Sequence, residues 1–452
     1  MLKSIKINGV GPFPSLDATF GSRLNLITGD NGLGKSFLLD MLFWMQSETW
    51  PRGRMALPHS ASSGSDLVIS PTLEWHLIGK NDFARKEFSA YFDFNAQAWQ
   101  KTGARNAARS LVLYAAADGH FAVWDPARNW SVEPQAARTS GFSHPSAYQF
   151  NSDSIANGLK EDNRSFCNGL IHDWVNWFYQ GSKAGGSQHF KHLELVIGIL
   201  SPPGMPLKCG VPRNVFAGDS REFPTLQLPY GEIAYPHWPA GARRIVELAY
   251  VLVWAWHEHL RAARQRKEQP VSHLLLLIDD IESHLSPQWQ RSILNAMTRL
   301  AGSMNAEMRA QIFVATHSPL VLSSLEPHYE EQNDMLFLLS RDEKIVRFME
   351  LLWVRHGDIN AWLMSILFNL KQPRSVEAEQ AIIAALQFLN LETGDLPEGL
   401  NTSDQISKAL TKLLPVGDGF MDYWLEESKA KPKPADAAIE TSAPLESVKA
   451  GP

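Results

Sequence analysis

The chain has 452 residues, enough for one large α/β domain with additions or for two to three domains. With 42 Lys and Arg against 48 Asp and Glu, its formal net charge of -6 argues against a uniformly basic nucleic-acid binder, although a local basic patch fits inside such a total. Its two cysteines, Cys167 and Cys209, form no C-x-x-C pair and no disulfide framework, and no apolar run reaches membrane-span length, so a cytoplasmic protein with no membrane contact is expected.

Residues 2 to 28 read as three short strands, with a Gly/Pro turn at Gly11-Pro12-Phe13-Pro14. They lead into Gly29-Asp30-Asn31-Gly32-Leu33-Gly34-Lys35-Ser36, a Gly-x4-Gly-Lys-Ser run between an apolar strand and a helix-like stretch, Phe37 to Trp44. In that context the run reads as a phosphate loop for a nucleotide and Mg²⁺. Gly29, Gly32 and Gly34 turn the backbone so that N–H groups point inward, past Asn31 and on to Phe37. Lys35 reaches the β- and γ-phosphates, and the Ser36 hydroxyl sits on the metal.

A Pro-, Ser- and Gly-rich loop with two arginines, Pro51 to Asp66, reads as a mobile contact segment. Alternation at Leu73, Trp75 and Leu77 and at Phe88, Ala90 and Phe92, then Leu111 to Tyr114 facing Phe121 to Trp124 across Asp118-Gly119, predicts one antiparallel sheet appended to the nucleotide core. From Asp153 to Leu200 the spacing becomes helical, interrupted at Ser182 to Ser187, and defines an inserted lobe. Its His172, His189 and His192 lack a carboxylate or thiolate at ligand spacing and read as core or surface histidines. Residues 201 to 240 form a Pro/Gly-rich linker to a helix that starts near Gly241.

His273 to Ile278 is a continuous apolar strand ending in Asp279 and Asp280, the pattern of a buried parallel strand whose carboxyl end meets a ligand. Asp279 suits the Mg²⁺ shell opposite Ser36. Asp280 stands where a base would polarise the attacking water, and Glu282 adds a third acid. Helix capping explains Ser286 and Pro287 better than it explains the Asp pair. A second buried strand, Gln311 to Ala315, delivers His317 toward the γ-phosphate or that water.

The order of these elements resembles the ABC-type ATPases of the SMC, RecF and OLD kind over residues 1 to 350. Leu277 to Gln290 looks like their acidic-strand segment, and Ala315 to Leu320 looks like their switch. The resemblance implies an α/β P-loop NTPase fold, an ABC ATPase head with an antiparallel β subdomain, an inserted helical lobe and a C-terminal helical region. It also implies ATP held between two heads in a homodimer or higher oligomer, each head giving its phosphate loop to one site and its signature around Gly241 to the other. Tyr114 to Asn129, Cys167 to Trp174 and Ala240 to Ile245 are similar to compact Septu and retron-associated defence ATPases, which implies a separate HNH-type effector nuclease as partner. The family's signature serine is replaced by Pro239, which donates nothing, and the usual base glutamate by the shorter Asp280, so slow hydrolysis is expected.

The expected divisions are 1–152 for the first ATPase lobe, 153–238 for the inserted lobe, 239–352 for the second ATPase lobe, 353–427 for a helical cap or interaction region, and 428–452 for a disordered tail. No nuclease motif of the TOPRIM or HNH pattern follows the switch. The leading expectation is therefore an ATPase sensor or scaffold that regulates a partner nuclease in antiphage defence. A RecF-like DNA-maintenance ATPase that contacts DNA or RNA, and a nucleotide-gated structural module, stand as alternatives.

Overall fold

In strand β1 (Leu2–Val10), Ile5 and Ile7 are buried and Lys6 between them is exposed, the period of two expected when one face of a strand meets a core. The computed structural model describes residues 1–59, 70–78, 85–102, 110–129, 147–161, 163–181, 188–343, 345–390 and 396–430, so the part of the Pro51 to Asp66 loop beyond residue 59 and the Ser182 to Ser187 loop lie outside the described residues. β1 pairs antiparallel with β2 (Phe13–Thr19) on one side. Counting the next strand, Leu24–Gly29, as β3, the other side of β1 pairs with β4 (Thr72–Ile78), followed by β5 (Arg85–Asp93) and β6 (Ala98–Thr102), in the order β2-β1-β4-β5-β6.

The second sheet holds eight strands. Besides β3 it contains β7 (Leu111–Ala115), β8 (Phe121–Trp124), β9 (Tyr148–Phe150), β10 (His273–Ile278), β11 (Arg309–Ala315), β12 (Asp334–Asp342) and β13 (Ile345–Leu351), in the order β13-β12-β3-β11-β10-β7-β8-β9. The five middle strands, β12 to β7 in that order, run parallel. Antiparallel pairs close both edges, the β12–β13 hairpin at one and β8 with β9 at the other. This corrects one expectation, because β7 and β8 belong to the nucleotide-bearing sheet and not to the appended one. Every residue of both strands is buried, as suits a strand covered on two faces.

Helix α1 (Lys35–Ser47) lies between the sheets. Leu38, Leu39, Met41, Leu42, Phe43 and Met45 are all fully buried, and they share one hydrophobic cluster with Ile5 and Trp75 of the first sheet and Leu277, Phe313 and Phe337 of the second. A helix apolar all round is stable only when covered all round.

The inserted lobe is built from α2 (Leu170–Gly181) and α3 (Gln188–Leu200), and α3 packs on α4 (Ala240–Gln265) and α5 (Pro287–Met304). Between α3 and α4 the expected linker contains short strands forming two small sheets, Lys208–Cys209 with Thr225–Leu228 and Gly231–Ala234, and Arg213–Asn214 with Glu222–Phe223. Ser286 and Pro287 open α5 as expected, although the Ser286 side chain makes no capping bond.

The chain divides into two compact units, residues 1–362 and 363–452. In the second, α6 (Val376–Leu389), α7 (Ser403–Leu413) and α8 (Gly419–Ala430) enclose Ala381, Ile382, Ile406, Leu410 and Trp424. Helix α8 runs to Ala430, beyond residue 428 where the tail was expected to begin, and residues 431–452 are outside the described set. Among the described residues no helix is long and apolar enough to cross a membrane.

Candidate functional site

Four neighbouring parallel strands end at one edge. β3 leads into the Gly29–Ser36 loop, β11 into Thr316 and His317, β10 into Asp279 and Asp280, and β7 into the Ala116–His120 turn. Ligands of open parallel sheets bind at this carboxyl edge. The strand ends are tied together, since the Asp279 N–H donates to the Ala115 carbonyl at 2.9 Å and the Thr316 N–H to the Ile27 carbonyl at 3.0 Å.

Gly29 takes φ 135°, and a Cβ there would stand 2.1 Å from the Leu339 carbonyl oxygen, so the entry to the loop requires glycine twice over. Lys35, buried at the start of α1, folds back so that its Nζ donates to the carbonyls of Gly29 at 2.8 Å and Asp30 at 3.0 Å. Burial lowers the Lys35 pKa, opposed by the charges of Asp280, Asp279, Glu282 and Asp30. Asn31 and Gly32 are exposed at the loop tip, whereas the Phe37 ring turns toward Phe13, 6.0 Å between centroids.

Asp279 is 2% exposed. Among the described residues neither of its carboxylate oxygens has a hydrogen-bond partner of ordinary length, although the Ser36 hydroxyl is near enough to favour the ionised form. Burial raises its pKa to about 6, and Asp280 and Asp40 add to the rise while Ser36 and Arg52 oppose it. A buried carboxylate with both oxygens open, beside a serine hydroxyl, is costly unless something charged completes it. The donor set is all oxygen and hard, so Ser36 and Asp279 fit a divalent cation such as Mg²⁺.

Asp280 adopts φ 47°, a left-handed conformation that aspartate tolerates, and its carboxylate is a third exposed, near His317. Burial, and next the Lys35 charge, lower the His317 pKa. Glu282 is engaged differently: one oxygen accepts from the Thr316 hydroxyl at 2.7 Å and the other from the His317 backbone N–H. Thus Lys35, Ser36, Asp279, Asp280, Glu282 and His317 converge. Gly241 lies in the first turn of α4 behind Pro239, where a Cβ would come 2.6 Å from the His284 carbonyl oxygen.

Sequence reasoning missed a second layer of charge. Asp40, Arg52 and Asp118 are linked by ion pairs, and Arg244 donates to the Ala116 carbonyl while its guanidinium stacks 4.6 Å from the Phe121 ring. A signal existed for Asp40, which follows Ser36 by four residues on one helix face. Nothing in the spacing points to Arg52. In the lobe, His192 Nδ1 lies 3.0 Å from His257 Nε2, and His189 stacks on His257 at 3.8 Å. Among the described residues no group of three such side chains is arranged to hold a metal.

Family models match two stretches, residues 4–56 as "AAA domain" and residues 260–323 as "AAA domain, putative AbiEii toxin, Type IV TA system". The chain is 23% identical over 326 residues to the Septu protein PtuA of Bacillus thuringiensis, covering 71% of this chain and 72% of that protein. Similar solved structures include an SMC head bound to the C-terminal winged-helix domain of ScpA (TM-score 0.44, 13% identity, 77% of this chain and 97% of that one). The recombination mediator RecF with a bound ATP analogue is another (TM-score 0.38, 13% identity, 77% and 98%).

Proposed function

We propose that this chain, a P-loop ATPase of the ABC/SMC-like kind, binds ATP with Mg²⁺ at the carboxyl edge of its central sheet, hydrolyses it slowly, and dimerises through the nucleotide. In that form it serves as sensor or scaffold for a partner nuclease in antiphage defence. The observation that carries the nucleotide reading is Asp279, buried with both oxygens open beside Ser36 and Lys35.

Lys35 holds the phosphate charge, and the loop N–H groups orient it. Ser36 and Asp279 would hold Mg²⁺, which supplies charge neutralisation at the phosphate oxygens when bound. Asp280 accepts the proton of the attacking water, with His317 beside it. Glu282 fixes the Thr316–His317 segment through its two hydrogen bonds. Hydrolysis is slow because Asp280 is one methylene shorter than a glutamate base and because Pro239 offers no hydroxyl across a dimer.

The likeness to the Septu protein PtuA supports the defence role and, with it, a partner in that system. The test is copurification with the product of the neighbouring gene, together with mass photometry with and without ATP. Failure to find a stable partner, with normal activity alone, would count against the scaffold role. DNA affinity that needs no partner and falls steeply with salt would favour a DNA-maintenance ATPase instead.

A further inference from the structure

Asp40 follows Ser36 by one helical turn on α1, and both its carboxylate oxygens are taken by a single group. Arg52 Nη2 donates to Oδ1 at 2.6 Å and to Oδ2 at 2.8 Å. The two side chains are only 10% and 11% exposed. Arg52 reaches this place from a turn where its own φ is 57°, held by its N–H donating to Gln149 Oε1 at 2.6 Å. Its Nη1 donates to Asp118 Oδ2 at 3.3 Å, in the turn that follows β7. The guanidinium therefore joins the phosphate-loop helix to the β7 turn, and the Arg52 backbone N–H ties the same residue to β9.

Asp40 is also within electrostatic reach of Asp279. Without Arg52 it would be a second buried carboxylate, with only the neutral Tyr114 hydroxyl beside it, one turn from Ser36, and hard divalent cations take such oxygen pairs readily. We propose that Arg52 is a positioning residue for the metal. By occupying both oxygens of Asp40 it keeps the cation on Ser36 and Asp279, at the phosphate end of α1, and prevents its being drawn one turn along the helix. A lysine has a single nitrogen and cannot hold Asp40 and Asp118 at once as the two arms of Arg52 do, so it grips Asp40 less firmly. The inference rests on the nucleotide reading above.

The test uses Mn²⁺ binding to the nucleotide-free full chain, followed by electron paramagnetic resonance, alongside steady-state hydrolysis. Arg52→Ala is expected to bind Mn²⁺ about tenfold more tightly than wild type and to lose about tenfold or more in kcat with little change in KM, the usual size of outer-shell effects on metal sites. Arg52→Lys should fall between the two. The double variant Arg52→Ala with Asp40→Asn should return Mn²⁺ affinity to the wild-type value, a rescue that a purely structural role does not produce. If Arg52→Ala alone does not fold, as judged by its thermal midpoint, Arg52→Lys and the double variant carry the comparison. Unchanged Mn²⁺ affinity in Arg52→Lys and Arg52→Ala, or an increase that survives Asp40→Asn, overturns the proposal. Calorimetry of ATP on the wild type separates the two readings: no ATP binding there removes the nucleotide site, while the Mn²⁺ comparison, which needs no nucleotide, still decides the role of Arg52.

Discussion

His317 Nε2 stands 3.8 Å from Asp280 Oδ1, across the gap between the ends of β11 and β10. With its pKa lowered by burial and by Lys35, the imidazole is neutral at pH 7, and Asp280 is left without a strong cationic partner in His317. Asp280→Asn should keep ATP and Mg²⁺ binding, trap the nucleotide-bound assembly and lower hydrolysis by about two to four orders of magnitude, the common worth of a general base. Asp280→Glu should turn over faster than the parent. Phosphate release assays check both, and wild-type turnover in Asp280→Asn would remove the base from this position.

Glu282 acts through the segment it holds, so Glu282→Gln should lower turnover by displacing His317. Glutamine can keep the His317 N–H only by turning its N–H₂ to the Thr316 oxygen, which already accepts from the Ser318 N–H, so the Thr316 hydroxyl proton loses its acceptor. In a double-mutant cycle, Glu282→Gln combined with His317→Ala should be no slower than His317→Ala alone. Additive losses would give Glu282 a chemical role of its own.

Lys35→Ala removes the ammonium that lies over the loop. ATP binding measured by calorimetry should disappear, since the triphosphate charge is then uncompensated within the loop. Unaltered affinity would sink the phosphate-loop assignment.

Gly241→Ala places a methyl 2.6 Å from the His284 carbonyl oxygen, in the loop that carries Asp280 and Glu282. The loop must shift, at a cost of about 1–3 kcal/mol in stability by the usual measure of overpacking. Turnover should fall while ATP affinity of the isolated chain holds. An unaffected rate would show that α4 and the acidic loop are not mechanically joined.

His257 is held neutral. Its pKa is lowered to about 3 by burial, with His189 and His192 adding to the effect. In the unfolded chain it takes up a proton below its ordinary value of about 6.5, so the unfolded state binds more protons and stability falls as pH drops from there toward 3. The thermal midpoint of wild type minus that of His257→Gln should therefore shrink from pH 7 to pH 4. A difference that is constant with pH would contradict the assigned shift.

Much of the geometry of the candidate site's edge was legible because its pieces are contiguous in sequence. Gly29 to Ser36, His273 to Asp280 and Gln311 to His317 each combine an apolar strand with the polar group it delivers. The partner of β7 was not legible: Asp118-Gly119 announces a local hairpin with β8, whereas the pairing of Tyr114 with Leu277 leaves no local trace. Strands of two to four residues, such as Lys208–Cys209, are too short to show a period, so the segment before α4 read as linker. Arg52 escaped because a tertiary ion pair obeys no spacing rule, and its loop looked like surface.

β3 lies between β11 and β12 and pairs with both, Leu26 standing level with Val314 and with Leu336. Arg23, at its entrance, forms ion pairs with Glu330 and Asp334. The ribosome thus makes the phosphate loop well before the strands that seat it, a long-range pairing that forms late. A nascent chain that has not yet emerged past Asp342 has the loop but lacks the β12 side of its frame. A nucleotide bound at the proposed site would then stabilise completed molecules selectively over truncated ones.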